Sequence, residues 1–296
     1  MPRFALFTTE CAQLGDALTE IIERHHADIA LVVTSDIYGG SRGGLCRQTT
    51  RNLLHSGPAF VSYLFASFVL YPAYLRLDRL RGRLPGGRRT RYGVAELCAR
   101  HGIRHLRTGK VNSPAVVTAL RAADLDLIVV YWFDQILREP VISAPRLGVV
   151  NVHAAYLPNC RGLFPTLYSA IEPGQPFGIT AHLIENRQID AGPILARRTC
   201  TPEPGRSVLF NDGWVNRIGV DMLDDVLADF PRHVAAARPQ SGGSYHSYPE
   251  RRHVAALRAA GLRLVTLRDF LAVCRGTGAG GAAGHAARRG APRPAA

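Results

Sequence analysis

The hydrophobic pattern opens with a solid apolar run over residues 4–8, which predicts a buried edge of a parallel sheet. Residues 11–26 switch to helical spacing, with Leu14, Leu18, Ile21 and Ile22 on one stripe, and residues 29–34 return to a continuous apolar run. Strand, helix and strand of these lengths make one βαβ unit, the opening of a doubly wound α/β sheet. His25 and His26 close the helix, where imidazoles favour the dipole. Helical spacing resumes over 93–101, and a strand is expected around 103–106. Ser113 stands ready to cap a helix over 114–122, with Pro114 at its first position. Apolar strands follow at 126–131, 147–150, 178–184 and 194–199. A long stripe over 208–230, carrying Val208, Ile218, Met222, Leu223 and Val226, predicts a helix that buries one face.

One stretch, residues 37–89, breaks this alternation. Its Gly39–Gly44 run lacks the Gly-Lys-Ser/Thr ending of a phosphate loop and the spacing of a dinucleotide fingerprint, so a flexible hinge is expected. Residues 59–75 (AFVSYLFASFVLYPAYL) carry no charge and are rich in aromatics. Arg42, Arg47 and Arg51 precede them, and Arg76, Arg79, Arg81 and Arg83 follow. With Pro72 inside, the segment is barely long enough to span a bilayer. The expectation is a helix packed on its own domain or on a second copy in a homodimer, forming a lid or wall near the acceptor pocket. Peripheral membrane contact through 59–75 is the alternative, and a true span comes last. Removing residues 57–76 should then leave a folded protein.

Chemistry-bearing residues gather between 147 and 195. Asn151 and His153 point the same way if their strand continues, residues 157–161 must break into a loop, and Asp190 sits just before Gly192 and Pro193. An amide, an imidazole and a carboxylate at strand ends suit a developing oxyanion, with the carboxylate orienting the imidazole or taking a proton. No Ser or Cys is placed as a nucleophile, which favours direct transfer. An isolated Asn-x-His pair, by contrast, is ordinarily a strand end satisfied by loop backbone.

The pair is not isolated. Asn151-Val-His153, Leu157-Pro158, Arg161-Gly162, Gly178-Ile-Thr180-Ala-His182 and Asp190-Ala-Gly192 together, in order and spacing, resemble the folate-dependent formyltransferase family. That family includes glycinamide ribonucleotide, methionyl-tRNA and amino-sugar formyltransferases and formyltetrahydrofolate hydrolases. The resemblance is clear over 125–209, extends to 4–36, and is absent over 37–89. It implies a Rossmann-like, mostly parallel central sheet with flanking helices and transfer of formyl from 10-formyltetrahydrofolate to an amine. Asn151, His153 and Asp190 would be the catalytic trio. Trp132, Phe133, Ile136, Leu137 and Gly192 would contact the cofactor, although aromatic packing alone also explains Trp132 and Phe133. Arg161, Gly162, Thr180 and His182 would touch substrate or support the trio, with a structural strand histidine as the other reading of His182. Ala155 stands where family members often carry Ser, Tyr156 where they often carry Leu, and the turn from His182 to Asp190 is one residue longer. These departures bear on the acceptor more than on the reaction.

The expected domains are a catalytic domain over 1–235 with the apolar-basic insertion 37–89, a short appendage over 236–275 and a disordered Gly/Ala/Pro/Arg tail over 276–296. The appendage is too short for the C-terminal barrel of methionyl-tRNA formyltransferases. A small-molecule amine, such as an amino sugar or biosynthetic intermediate, is therefore ranked ahead of tRNA as acceptor. A hydrolase comes behind them, and a non-catalytic membrane-associated binding protein last.

At 296 residues, 47% hydrophobic and 20% charged, the chain is long enough for one full core and reads as soluble and globular. Its formal charge of +13 is almost all arginine, Lys110 being the only lysine. That excess favours a phosphate- or nucleotide-bearing substrate, an anionic surface or a polyglutamylated folate. Cysteines at 11, 46, 98, 160, 200 and 274 have neither zinc nor disulfide spacing. No metal is expected, and reduced thiols point to the cytoplasm. Cys160 is expected to be accessible in the site loop. The N-terminus is too soon acidic for a signal peptide and reads as a first strand.

Overall fold

Nine strands organise the described residues. They are β1 (Phe4–Thr8), β2 (Ile29–Ser35), β3 (Arg104–Thr108), β4 (Leu127–Tyr131), β5 (Gly148–His153), β6 (Arg161–Gly162), β7 (Gly178–Leu183), β8 (Ile194–Thr199) and β9 (Tyr245–His246). The structure, a computed structural model, describes residues 1–37 and 44–276, with side chains in the second segment from Arg47 onward. The expected glycine hinge (all but its last residue), Arg42, the Cys46 thiol and the tail from 277 lie outside the described residues.

Seven strands form one sheet in the order β3-β2-β1-β4-β5-β7-β8. The neighbours from β3 to β5 are parallel, whereas β7 pairs antiparallel with both β5 and β8. This is the expected α/β architecture with one correction. The run at 4–8 is no edge: β1 lies between β2 and β4 and is buried along its whole length. A strand covered on both faces reads as a continuous apolar run wherever it lies, and half-exposed β3 holds one true edge.

Alternating side chains feed two layers. Phe4 and Leu6 join Leu18, Ile21, Val150, Val152 and Leu223 on one face, and Ala5 and Phe7 join Leu31, Val116, Leu120 and Val130 on the other. The long C-terminal helix runs Val208–Ala228 and stops at Asp229, whose side chain accepts from Arg232 N–H at 3.4 Å and starts a second helix, Phe230–Ala235. Two local expectations change. His25 is buried and bonds Asp224 at 2.7 Å, so it ties two helices together rather than merely facing a dipole. Ser113 occupies the N-cap position of Pro114–Ala122 without a side-chain cap bond.

The insertion is helical. A helix over Gly44–Ser56 ends at Gly57, whose φ of +85° permits a sharp change of direction. A 24-residue helix, Pro58–Arg81, then runs through a π-helical segment at Ala66–Leu70. Pro72 explains that segment: it has no N–H to give Phe68, and its ring crowds that carbonyl. The helix widens one turn, with Tyr71 N–H reaching Ala66 O, and continues. Phe60, Tyr63, Ala66, Tyr71 and Leu75 are buried in a core shared with Leu167, Tyr168, Leu209, Leu257 and Phe270. Removing 57–76 would therefore unroof a core, contrary to the sequence expectation. Helices Arg251–Ala259 and Leu267–Arg275 complete the same core, and Arg91 bonds Asp16 and, at 2.9 Å, Cys274 O.

Candidate active site

A cavity of about 710 Å³ opens at the carboxyl ends of β4 and β5, where the strand order of an α/β sheet leaves a crevice. The β5–β7 register sets Asn151 opposite His182 and His153 opposite Thr180. The long β7–β8 connection then carries Asp190, at φ +49°, back over them. Asn151 Nδ2 donates to Asp190 Oδ1 at 2.9 Å, and His153 Nδ1 lies 3.6 Å from Asp190 Oδ2. The three expected residues are brought together in one cleft, and all three line the cavity.

The supporting bonds fix which groups are available. His153 Nε2 meets Cys160 O at 2.9 Å, and because a carbonyl only accepts, Nε2 donates; Nδ1 faces the carboxylate. His182 Nδ1 donates to Leu183 O at 2.9 Å, which leaves Nε2 to accept from Asn151 Nδ2 at 3.0 Å. Both amide hydrogens of Asn151 are thus engaged, one by His182 and one by Asp190. Gly162 N–H also donates to Asp190 Oδ2 at 2.9 Å. Burial works to raise the Asp190 pKa, but the nearby His153 imidazole and the bond from Gly162 N–H outweigh it. The carboxyl is held well below the usual carboxylate range.

The other expected contacts divide. Trp132, Phe133, Ile136 and Leu137 line the cavity as the chain leaves β4, with Trp132 in a left-handed turn (φ +58°). Gly162 lines it too, whereas Arg161 does not. Gly192 is not on the wall: a Cβ there would collide with Leu183 O, and its carbonyl accepts from Gln240 Nε2 at 2.6 Å. Thr180 is fully buried, donating to Ala155 O at 2.7 Å and accepting from Leu157 N–H at 3.1 Å, so it shapes the loop after His153. His182 stands behind Asn151 and Asp190, as a supporting residue does.

The expected wall from 59–75 is present in Val61, Leu64, Phe65 and Phe68, but residue by residue sequence reasoning missed much of the rest. Thr49 and Asn52 also come from the insertion, residues 186–189 from the loop before Asp190, and Tyr245 and Tyr248 from the appendage. Aromatic density over 60–68 was a signal for part of the wall; nothing local marked Thr49, Asn52 or Gln240.

Cys160 is buried, not accessible, and burial pushes its thiol up to about 11. Its Sγ lies 3.5 Å from Glu172 Oε2, which also accepts from Ser244 Oγ at 3.1 Å, while the other Glu172 oxygen pairs with His246. Cys160, Glu172 and His246 place metal-capable atoms within 4.8 Å of one another, a grouping that linear spacing could not announce.

Residues 82–208, which contain the whole Asn151–His153–Asp190 cluster, match the model of the formyl transferase family. Over these residues the chain is similar to a formyl transferase domain. Methionyl-tRNA formyltransferase of Trichlorobacter lovleyi is 32% identical over 178 residues, covering 60% of this chain and 55% of that protein. The Novosphingobium aromaticivorans protein of the same name is 31% identical over 189 residues, covering 64% and 61%. The chain thus spans between half and two thirds of the length of these relatives. Glycinamide ribonucleotide transformylase 1 from Symbiobacterium toebii shares the fold, with a TM-score of 0.52, 14% identity, and 81% of this chain and 95% of that one covered. The match to the formyl transferase model begins at residue 82, one residue after the Pro58–Arg81 helix that walls the cavity.

Proposed function

We propose that the cavity binds 10-formyltetrahydrofolate and that the chain transfers its formyl group to an amine of a small molecule. The observation that carries this reading is the Asn151–His153–Asp190 cluster at the wall of a mainly apolar cavity of about 710 Å³, a size suited to a folate-like ligand. Residues 132–137 line the cavity and would offer backbone donors and acceptors to a pterin edge.

The acceptor amine attacks the formyl carbon, a C–N bond forms to the acceptor, and the bond from the formyl carbon to N10 of the folate breaks. The proton lost by the amine ends on the folate nitrogen. Negative charge gathers on the formyl oxygen meanwhile and calls for donors there. His153 is one. Asn151 becomes another only if its amide turns away from Asp190 or His182 as the substrate enters, since both its hydrogens are engaged beforehand. Asp190, kept ionised, holds His153 in place and provides a route for the amine proton.

A second reading takes the relatives' printed name, with methionyl-tRNA as the acceptor and the arginine excess as its electrostatic support. Incubation of the chain with 10-formyltetrahydrofolate and a panel of amino-sugar nucleotides and methionyl-tRNA, read by mass spectrometry, separates the two. Formylation of a small amine is expected. Salt-sensitive formylation of methionyl-tRNA alone would hand the site to tRNA, and formate release without any amine would make the chain a hydrolase. Calorimetry showing no binding of reduced folate by the folded chain would overturn the whole reading.

A further inference from the structure

The Pro58–Arg81 helix changes partners along its length. Its first half is occupied: Phe60 and Tyr63 enter the core, while Val61, Leu64, Phe65 and Phe68 face the cavity. Beyond the π-helical segment one side remains anchored by Tyr71 and Leu75, and the outer side is bare. Leu70, Leu77, Leu80 and Leu84 are 39%, 66%, 55% and 63% exposed. With exposed Ala73, the first three fall at positions 70, 73, 77 and 80, the alternating three- and four-residue steps of a single helical stripe, and Leu84 follows in the turn just past the helix end at Arg81.

Charge around the stripe has one sign. Arg76, Arg79, Arg81, Arg83 and Arg88 are all exposed. Among the described residues only Arg79 of these has an acidic partner, Glu96 at 3.5 Å. The single acidic residue between 58 and 92, Asp78, is buried and turned inward, accepting from the backbone N–H groups of Thr90 and Arg91 at 2.8 Å each. A row of leucines is therefore rimmed by arginines of which, among the described residues, only Arg79 meets an acidic side chain.

We propose that this face docks the protein on an anionic lipid bilayer, with Leu77, Leu80 and Leu84 entering the boundary between headgroups and acyl chains and the arginines lying among lipid phosphates. Three alternatives fit the face less well. A second copy would set arginine against arginine around its leucines. A nucleic acid would satisfy the arginines but leave the leucines at the centre of the contact without a partner. A spanning helix would have to release Tyr63, Tyr71 and Leu75 from the core and carry Asp78 through hydrocarbon. Interfacial docking leaves the core intact and uses both halves of the exposed chemistry. It also moves the membrane contact from 59–75, where the sequence put it, to 70–88.

Flotation of the full chain with vesicles tests this independently of catalysis. Binding is expected to vesicles of phosphatidylcholine mixed with phosphatidylglycerol, with little binding to phosphatidylcholine alone and weakening as salt rises. Replacing Arg76, Arg81 and Arg83 together by Gln should weaken binding by on the order of a hundredfold, and Leu77→Ser with Leu80→Ser should abolish it. The substitutions fall on exposed side chains, so an unchanged Tm and unchanged reduced-folate binding are expected throughout. No binding to anionic vesicles, or equal binding to neutral ones, overturns the proposal. A dimer that the leucine substitutions dissolve, without vesicle binding, assigns the face to a second copy. RNA binding lost with the arginines but kept without the leucines assigns it to nucleic acid.

Discussion

Two buried carboxylates, Asp190 and Asp212, are pushed in opposite directions by their neighbours. Asp190 has two imidazoles and a backbone N–H around it, and stays ionised despite burial. Asp212 is met only by neutral groups, the hydroxyls of Thr166 (2.7 Å) and Tyr63 (3.3 Å) and the amide of Asn216 (3.2 Å), so burial wins and its pKa rises to about 6. A folded value above the ordinary 3.8 means that the folded state holds this proton more tightly than the unfolded one. Its contribution should be fully present below about pH 4, decline as pH rises to about 6, and then level off, a change of roughly 3 kcal/mol. Denaturant melts from pH 4 to 7 should show that slope in the wild type and a flatter one in Asp212→Asn. Asp190→Asn should lower kcat by about a hundredfold or more with little change in folate affinity by calorimetry, because its carboxylate acts on His153 and on the amine proton as the transition state forms. Since Asp190 stays ionised, any loss of kcat/KM between pH 7 and 5 should trace to another group.

Elements show what the chain made legible and what it hid. The βαβ opening, β4, β5 and β7 could be read because fully buried strands and one-faced helices leave strong periodic traces. Asn151, His153 and Asp190 could be read because strand alternation and a Gly-Pro stop localise them, and because linked submotifs resembled a known family. Strand order could not: Phe4–Thr8 carries the same apolar run in the centre of a sheet as it would at a covered edge. The break at Asp229 was hidden because the apolar stripe continues through Phe230. Close approach leaves little trace in sequence either. Gly219 sits mid-helix in Val208–Ala228, where a Cβ would collide with Ile179 on β7. Alanine ordinarily stabilises a helix interior over glycine by about 1 kcal/mol. Gly219→Ala should instead destabilise this protein by roughly 1–3 kcal/mol through overpacking, read as a lowered denaturation midpoint at unchanged m-value.

At the scale of the whole molecule, the insertion is a structural member rather than an appendage. One helix closes the cavity, roofs the second core and carries the leucine–arginine face outward. Its π-helical turn at Ala66–Leu70 holds one residue more than an α-helical turn, and that residue sets the phase between two stripes. Deleting Val69 would restore α-helical winding and rotate everything beyond by about 100°. Tyr71 and Leu75 would swing out of the core as residues from the outer side swung in. Such a deletion should lower Tm and abolish vesicle binding together. The helix thus works as a keyed shaft: its length near Pro72 is counted in single residues, because the angle between what faces the cavity and what faces outward depends on that count.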